Sequence, residues 1–402
     1  MRISWLSNAP WAATGYGSQL KLVLPYLKNL GHEQSVQAFY GHQGSPINYN
    51  DVTIYGSVAH PFGMDVVRAH ANNFKADFIM SNMDAWVIEP AMFFEQKWVA
   101  WFPIDSDPIP PMVLDKVSQA FHRIVWTEFA KRQMDKAGLD YDYVPYAVDT
   151  ELFKPGDKQA TREIAHMPQD KFIVGMVAMN KGYPPRKAFY QNIEAFKLLH
   201  DKHPDTVLYM HTLDGSRPNG ETIDLVAFCK SLGLKVGEDV LFAEQYSYVI
   251  GYPDTAMVTL YNCFDVHLLV STGEGFGMPQ LEAQACGVPV ICGDWTTMPE
   301  LLFSGWKVDK KDATPMYTLQ NSYQFIPHVK AIADKLEQAY KMRGNTDYSK
   351  RARDGAMKYD IRKIVENNWK PALANIERKL KESPVNENLS QNLQVLRWIT
   401  RY

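Results

Sequence analysis

The sequence predicts an α/β protein made of two doubly wound domains, each built on a mainly parallel sheet. Three observations lead to this fold class. The chain has 402 residues, which is too long for one ordinary hydrophobic core. Apolar, strand-like runs alternate along it with segments of helical spacing. The alternation stops at a run bounded by prolines, 144–155, and then starts again, so we expect domains at 1–150 and 151–385.

The first half begins with an apolar strand at 2–7, followed by a loop at 8–16. The next segment, 18–30, has apolar residues at 20, 23, 24, 27 and 30, which is helical spacing. The same criteria predict the remaining elements of this half: strands at 35–40, 78–80, 98–103 and 123–127, and a helix at 128–137.

The second half repeats the alternation after the proline-bounded run. Strands are predicted at 171–178, 207–211, 240–243, 266–270 and 288–292, and helices at 187–200, 221–232, 254–262 and 279–286. The tail, 317–402, is mostly helical by composition, and its last segment has apolar residues at helical spacing. In doubly wound sheets, ligands bind beyond the carboxyl ends of the strands. The loops 8–17 and 271–279 each follow a strand and precede a helix, so both are expected to face one cleft.

Composition excludes several classes of protein. Hydrophobic content of 46% and charged content of 22% are those of a soluble globular protein, and the net charge of −3 gives no overall attraction to nucleic acid or anionic lipid. No apolar run approaches the ~20 residues of a membrane span. The start of the chain, MRISWLSNAP, lacks the apolar core of a signal peptide. The four cysteines are expected to be buried free thiols, which predicts a cytoplasmic protein.

The most informative stretch, 271–293, reads STGEGFGMPQLEAQACGVPVICG and contains two carboxylates, Glu274 and Glu282, eight positions apart. A glycine-rich turn, Gly275-Phe276-Gly277, lies between them, and Pro279 begins a short helix. Such a turn at a helix N-terminus binds phosphate through unpaired backbone N–H groups and the helix dipole. Carboxylates beside a phosphate indicate hydroxyls in the same ligand, so we predict a nucleotide-sugar site. The alternative is a loop carboxylate and a helix-start carboxylate without a ligand.

This stretch resembles the E-x7-E signature of the retaining glycosyltransferases of family four, which have the GT-B fold of two facing Rossmann-like domains. Gly15 and Gly17 resemble the N-terminal glycine loop of that family, VPYAVDTELFKP (144–155) its linker, and TTMPELL (296–302) the segment after the signature. The resemblance implies an acceptor domain at 1–150 and a nucleotide-sugar domain at 151–385. It also implies that a C-terminal helix, 386–402, returns to the first domain.

The same resemblance implies a role for each matching residue. Glu282 would hydrogen-bond the ribose hydroxyls, and Glu274 would contact a hydroxyl of the transferred sugar as a catalytic residue. Arg186 and Lys187 match the family's basic pair, which stabilises the negative charge of the leaving diphosphate. The other residues expected to line the sugar-donor site are Gly15, Gly17, Asn180, Gly275, Phe276, Gly277 and Met278.

The chain departs from the family at two places. Met179-Asn180 stands where the family often has an arginine near the strand end. The stretch WFPIDSDP (101–108) lacks the histidine that contacts the donor sugar in many relatives, so we expect Asp105 to take that place or to position the acceptor. Asp105-Ser106-Asp107 has the spacing of a metal-binding D-x-D run, but the resemblance implies an enzyme without a metal cofactor.

The function predicted from these residues is retaining transfer of a hexose from a nucleotide-diphosphate sugar, of the UDP-glucose or GDP-mannose type, to an acceptor hydroxyl. The acceptor remains open among a glycan, a lipid, a protein and a modified DNA base. A glycan phosphorylase or a sugar-nucleotide epimerase on the same fold is a second hypothesis. A catalytically silent nucleotide-sugar-binding module is a third, from another class.

Overall fold

The computed structural model describes residues 1–215 and 222–383, and it contains the two parallel sheets that the sequence predicts. The first sheet has the strand order β3-β4-β2-β1-β5-β6-β7-β8 and is parallel except for the β3–β4 pair. Its strands are β1 (Arg2–Asn8), β2 (Glu33–Gln43), β3 (Ile47–Tyr49), β4 (Val52–Ser57), β5 (Phe78–Asn82), β6 (Trp98–Phe102), β7 (His122–Val125) and β8 (Asp142–Tyr143). The helices within this part are α1 (Gly15–Asn29), α2 (Val67–Phe74), α3 (Pro111–Ser118) and α4 (Glu128–Ala137).

The second sheet is fully parallel and has the order β11-β10-β9-β12-β13-β14. Its strands are β9 (Phe172–Val177), β10 (Thr206–His211), β11 (Val240–Phe242), β12 (Val266–Leu269), β13 (Val290–Gly293) and β14 (Gly305–Val308). The later helices are α5 (Lys158–Ile164), α6 (Phe189–His200), α7 (Leu225–Ser231), α8 (Gln245–Ile250), α9 (Asp254–Cys263), α10 (Met278–Ala285), α11 (Val329–Lys341), α12 (Thr346–Ala356), α13 (Ile361–Ile364) and α14 (Lys370–Glu382).

Two helices of the first domain begin at the cleft with side-chain caps. Thr14 caps α1, since its hydroxyl accepts from the Gly17 N–H at 3.1 Å. Thr127 caps α4 in the same way, with its hydroxyl 3.0 Å from the Ala130 nitrogen. Each cap satisfies an N–H that the first helical turn leaves unpaired, so the start of each helix is fixed directly after its strand.

The chain crosses between the domains twice, and the two crossings lie side by side. The first crossing is formed by residues 144–157. Its Val148 pairs with Asp360, which lies in the second crossing, between α12 and α13. Arg353 of α12 also donates to the carbonyl oxygens of Thr150 and Phe153, at 2.7 and 2.6 Å. The run predicted as a linker is therefore held by backbone hydrogen bonds and a partly buried guanidinium, and it forms an ordered base under the cleft.

The end of the described chain packs on the first domain. The Trp369 ring lies 4.8 Å from that of Trp101 and 6.0 Å from that of Trp5, all three fully buried. Further along α14, Lys379 forms an ion pair with Asp140 at 2.7 Å. The predicted returning helix, 386–402, lies outside the described residues. The return itself begins earlier than the expected boundary at 385, because residues 365–382 already pack on the first domain.

An antiparallel hairpin interrupts the tail that the sequence predicts to be mostly helical. Its strands are β15 (Ala313–Tyr317) and β16 (Tyr323–Pro327), paired from Ala313–Pro327 to Tyr317–Tyr323. The described part of the tail is mostly helical from Val329 to Glu382, as predicted. Residues 317–328 are the exception, because composition alone does not detect a short, half-exposed strand. The hairpin reaches across to the first domain, as described below.

Two expectations on burial and membranes can be compared with the structure. Cys229, Cys263, Cys286 and Cys292 are all buried, as predicted. No helix within the described ranges has the length and apolarity needed to cross a membrane.

Candidate active site

The carboxyl ends of the two sheets face each other, and loops from both domains touch there. The loop after β12 meets the loop after β6 so closely that a side chain has no room. A Cβ atom on Gly273 would lie 2.2 Å from the backbone oxygen of Asp105, and one on Gly275 would lie 2.5 Å from the Cβ of Pro103. Glycine is needed at these two positions because the opposing backbone approaches closely, which explains the glycine-rich turn independently of any ligand.

Glu274 lies at the centre of this contact, with a side chain that is 5% exposed. Its Oε1 accepts from Lys187 Nζ and from the Ser271 hydroxyl, each at 2.5 Å. Its Oε2 accepts from Arg186 Nη1 at 3.1 Å. The backbone is fixed as well, because the Glu274 N–H donates to the Thr296 hydroxyl at 3.1 Å. Three residues that the sequence predicted as catalytic, Glu274, Arg186 and Lys187, are thus brought together.

The charges around Glu274 decide its protonation. Burial raises its pKa, but Lys187 and Arg186 outweigh that effect and lower the pKa to about 2. Glu274 therefore stays ionised at physiological pH and has no proton to give. It cannot serve as a general acid, but its oxygens can accept hydrogen bonds from hydroxyl groups of a ligand.

The two cations are placed by the segment between β9 and α6. The Arg186 carbonyl accepts from the Thr272 N–H at 2.8 Å, which joins this segment to the loop before Glu274. The Lys187 side chain is 16% exposed and the Arg186 side chain 40% exposed. Burial would lower the pKa of Arg186, but Glu274, Asp105 and Asp84 raise it. The Arg186 guanidinium therefore lies in the field of carboxylates from both domains.

Glu282 occupies a separate position, one helical turn into α10. Its Oε2 accepts from the Tyr261 hydroxyl at 2.7 Å. Burial raises the pKa of Glu282 to about 7, although the Tyr261 bond opposes the shift. No other side chain within the described ranges is hydrogen-bonded to this carboxylate, so one of its oxygens remains available to a ligand hydroxyl. Sequence reasoning did not identify Tyr261. This residue lies on α9 and Glu282 on α10, so no local sequence pattern connects the two.

The turn between the two carboxylates has the form expected of a helix start. Gly277 has a φ of 102°, a conformation that favours glycine, and α10 begins directly after it. The Phe276 ring is 4% exposed and lies 5.4 Å from the ring of Tyr146 in the first crossing. Met278 contacts Gln19 of α1, with Sδ 3.5 Å from Nε2. The first turn of α10 therefore points into the interface between the domains.

The N-terminal glycines lie opposite. Gly17 is buried, and a Cβ there would lie 2.4 Å from the Ala12 carbonyl oxygen, so the loop requires glycine for its own packing. Gly15 is exposed with no atom within 4 Å of a Cβ, which leaves space for a ligand at the start of α1. Contact of either residue with a sugar donor remains a prediction.

Asp84 is a site residue that sequence reasoning missed. It follows β5, and its Oδ2 accepts from the Tyr16 hydroxyl at 2.7 Å, within the glycine loop. Burial raises the pKa of Asp84, and the nearby Asp105 raises it further. A lone carboxylate after a strand is a weak signal. Its position at the carboxyl end of β5, next to β6, was the information that could have identified it.

The Asp105-Ser106-Asp107 run serves partly as a contact with the hairpin. The Asp107 N–H donates to the Tyr323 carbonyl at 3.0 Å, and the Asp107 carboxylate pairs with Lys310 at 3.1 Å. The Ser322 hydroxyl donates to the Pro108 carbonyl. Asp105 lies beside Gly273 and contributes to the field at Arg186. In residues 1–215 and 222–383, no group of three or more His, Cys, Asp or Glu side chains is arranged to hold a metal ion.

Asn180 is buried and engaged within its own domain. Its Nδ2 donates to the carbonyl oxygens of Leu213 and Ile223, at 3.0 and 2.7 Å, and its Oδ1 accepts from the Ile223 N–H at 3.2 Å. The side chain therefore orders the segment after β10. Its expected contact with the sugar donor stays a prediction.

Comparison with known proteins identifies the second domain. Residues 171–340 match the family model of the glycosyl transferases group 1. This range, which we call the group 1 glycosyltransferase domain after the family model that it matches, contains Glu274, Glu282, Arg186 and Lys187, so the residues that carry the resemblance in the sequence lie within it.

Curated relatives are similar to this chain over part of their length. A D-inositol 3-phosphate glycosyltransferase of Acidothermus cellulolyticus is 30% identical over 197 residues, which is 46% of this chain and 41% of the relative. A protein of the same name from Stackebrandtia nassauensis is 28% identical over 147 residues, or 37% of this chain and 32% of the relative. The chain thus spans about a third to two fifths of the length of these relatives.

Solved structures show the fold of the whole described chain. Sucrose-phosphate synthase from Thermosynechococcus elongatus superimposes with a TM-score of 0.69 at 15% identity, covering 95% of this chain and 98% of that one. Anabaena HepE in complex with UDP-glucose superimposes with a TM-score of 0.68 at 17% identity, covering 93% and 100%. The group 1 glycosyltransferase domain is therefore the second half of a GT-B fold, and the predicted fold class is confirmed.

Proposed function

We propose that the protein transfers a hexose from a nucleoside-diphosphate sugar to an acceptor hydroxyl, with retention of anomeric configuration. The observation that carries the proposal is the group formed by Glu274, Arg186 and Lys187 where the two domains meet. The family match and the names of the relatives support a glycosyl transfer, and the HepE complex with UDP-glucose supports a UDP-sugar as sugar donor.

The geometry supports a proposed role for each of these residues. The free Glu282 oxygen accepts from a ribose hydroxyl, while Tyr261 holds the carboxylate in place. Glu274 accepts from a hydroxyl of the transferred sugar. The diphosphate lies at the start of α10, where backbone N–H groups of the first turn face it. Arg186 and Lys187 then pair with the diphosphate in place of Glu274. Asp105, from the opposite domain, positions the acceptor.

The proposed reaction needs no nucleophilic side chain. The bond from the anomeric carbon to the diphosphate oxygen breaks, and negative charge develops on that oxygen, where Lys187 and Arg186 stabilise it. The acceptor oxygen forms its bond on the same face of the sugar, and its proton moves to the leaving diphosphate. Two fixed cations supply the charge compensation, so no resident metal is part of the proposal.

Contact between the domains supports the exclusion of water from this step. The close approaches at Gly273 and Gly275 and the hairpin bonds to 106–108 bring both domains against the site. A closed site limits hydrolysis of the sugar donor, because the acceptor is then the nucleophile within reach.

A donor screen tests the proposal. Thermal unfolding is measured with UDP-glucose, GDP-mannose and the free nucleotides, for the wild type, Glu282→Gln and the matched control Glu163→Gln. Glu163 is an exposed residue of α5 in the same domain. We expect one nucleotide sugar to stabilise the wild type and the control, but not Glu282→Gln. Equal stabilisation of all three proteins would contradict the assignment of the ribose site.

Turnover separates an enzyme from a silent binding module. Release of free nucleotide from the stabilising sugar donor is followed in the presence of glycan, protein and modified-DNA acceptors, and products are identified by mass spectrometry. We expect nucleotide release coupled to a glycosylated product with the anomeric configuration of the sugar donor. Binding without any turnover would leave only the module hypothesis, and an inverted product would overturn the mechanism.

A further inference from the structure

A second pocket lies beside the candidate active site, between α4 of the first domain and the loop after β13 of the second. It has a volume of about 290 Å³. Arg132 and Lys136 line it from α4, Lys310 from the second domain, and Thr296 from the loop after β13. We call it the basic pocket. Both domains contribute to its wall, so it is complete only when they are in contact.

The charges in the basic pocket are not balanced. Lys310 pairs with Asp107 at 3.1 Å, and the Asp294 carboxylate pairs with Lys307 at 3.0 Å. Within residues 1–215 and 222–383, no ion pair joins Arg132 or Lys136 to a carboxylate. The pocket therefore contains two cations, Arg132 and Lys136, that no ion pair of the described residues engages.

One further carboxylate lies near the pocket but has other partners. Burial raises the pKa of Glu300, and Arg132 partly offsets that rise, so the two groups interact. Both Glu300 oxygens, however, accept from backbone N–H groups at the start of α4, from Glu128 at 3.2 Å and from Phe129 at 2.9 Å. Glu300 serves as a helix cap and does not neutralise Lys136.

The basic pocket adjoins the site of transfer. The Thr296 hydroxyl, in its wall, accepts from the Glu274 N–H at 3.1 Å. The neighbouring Trp295 indole, also in the wall, donates to the Ser271 carbonyl at 3.0 Å. The loop that holds Glu274 therefore packs directly against this wall. A molecule with its hydroxyl at the reacting sugar could place another group against Arg132 and Lys136.

We propose that the basic pocket binds the phosphate of a small phosphorylated acceptor. Phosphate is the anion that an arginine fork and a lysine together bind best, through charge-assisted hydrogen bonds. The small volume and the position between two domains favour a sugar- or polyol-sized molecule over a polymer. This inference rests on the proposed function, since it names the acceptor class for that same reaction.

A binding experiment tests the pocket without any turnover. UDP at a saturating concentration first fills the sugar-donor site, and inorganic phosphate is then titrated by calorimetry. The variant is Arg132→Gln/Lys136→Gln. The control is Lys131→Gln on the same helix, because Lys131 pairs with Glu128 and lies over the Tyr143 ring. We expect the wild type and the control to bind phosphate alike and the double variant to bind it at least about tenfold more weakly. Equal binding by all three proteins overturns the proposal.

A second experiment compares acceptors that differ only in a phosphate. Glucose and glucose 6-phosphate, and inositol and inositol phosphate, are each offered with the sugar donor, and UDP release is measured. We expect the phosphorylated member of a pair to have the lower KM, and the double variant to raise that KM without changing the KM of the sugar donor. A preference for the unphosphorylated member or for a DNA duplex overturns the proposal. UDP binding by wild type and variants is the separate measure of the proposed function, and its loss would refute that function alone.

Discussion

The Glu300 carboxylate accepts from the backbone N–H of Phe129 at 2.9 Å, so a side chain of the second domain caps a helix of the first. Burial raises the pKa of Glu300 to about 7, although the backbone bonds oppose the shift. The contact of the two domains is thereby linked to the protonation of one interfacial carboxyl group.

The first prediction concerns pH and Glu300. A carboxyl whose pKa is raised in the closed protein binds its proton more tightly there. Its stabilising effect is present below its ordinary pKa of 4.5 and is lost as pH rises to about 7. We expect the Tm of the wild type, measured relative to that of Glu300→Gln, to fall as the pH rises from 4.5 to 8. A difference that stays constant over this range would show that Glu300 does not titrate in the interface.

The second prediction concerns nucleotide affinity and Glu282. In the protein without ligand, the Glu282 carboxyl has a pKa of about 7. We expect the ribose hydroxyl to donate its hydrogen bond to the ionised form of this carboxyl. Affinity for UDP-glucose, whose diphosphate does not titrate in this range, should therefore rise between pH 6 and pH 8 in the wild type and stay level in Glu282→Gln. Since the Tyr261 hydroxyl lowers the pKa of Glu282, Tyr261→Phe should move the midpoint to higher pH. Calorimetric titrations across the pH range measure both effects. An unchanged midpoint in Tyr261→Phe would argue against this coupling.

The third prediction concerns the contact between the domains. In Gly273→Ala, the added Cβ would lie only 2.2 Å from the Asp105 backbone oxygen, so the domains must separate locally. We expect kcat to fall by about a hundredfold, as misplacement by 1 Å can cause, with UDP affinity retained. The control is Gly156→Ala, whose Cβ meets Asn262 at an ordinary 3.4 Å. Small-angle scattering would show a larger radius for Gly273→Ala. Normal turnover in that variant would mean that this contact is not required.

The fourth prediction separates structural and chemical roles of Lys187. In Lys187→Gln, the buried Glu274 carboxylate loses one of its charged partners. We expect this loss to lower the free energy of unfolding by about 1–3 kcal/mol. Adding Glu274→Gln removes the uncompensated charge and should restore most of that stability. Turnover should be at least about a hundredfold lower in Lys187→Gln, because the charge that stabilises the leaving group is absent. It should stay low in the double variant, which lacks the Glu274 carboxylate as well. Denaturant unfolding and nucleotide release measure the two properties. Recovery of turnover in the double variant would limit Lys187 to a structural role.

Much of the architecture follows from local pattern. Apolar runs such as 172–177 and helical spacing at 128–137 reflect burial on a sheet and on one helix face, so the sequence predicts them well. The joining of Glu274 with Arg186 and Lys187 was also foreseeable, because both segments follow parallel strands and end at one edge of the sheet.

What sequence reasoning missed depends on partners distant in the chain. The strand 323–327 is half-polar, and its pairing with Asp107 is visible only once both domains are in place. Asp84 matters through its neighbours Tyr16 and Asp105, which are 68 and 21 positions away. Neither relation leaves a periodic signal, since side-chain contact at long range imposes no spacing on the sequence.

The three indoles of Trp5, Trp101 and Trp369, which pack edge to face, affect how the chain folds during synthesis. The first domain is synthesised first, but its aromatic core lacks one member until residue 369 has left the ribosome. The group 1 domain lies wholly before that point and can complete its own sheet earlier. We therefore expect the nascent chain to fold its middle before its beginning is finished, against the usual N-to-C order of domains. A protein cut before α13 should yield a folded second domain beside an unfinished first one.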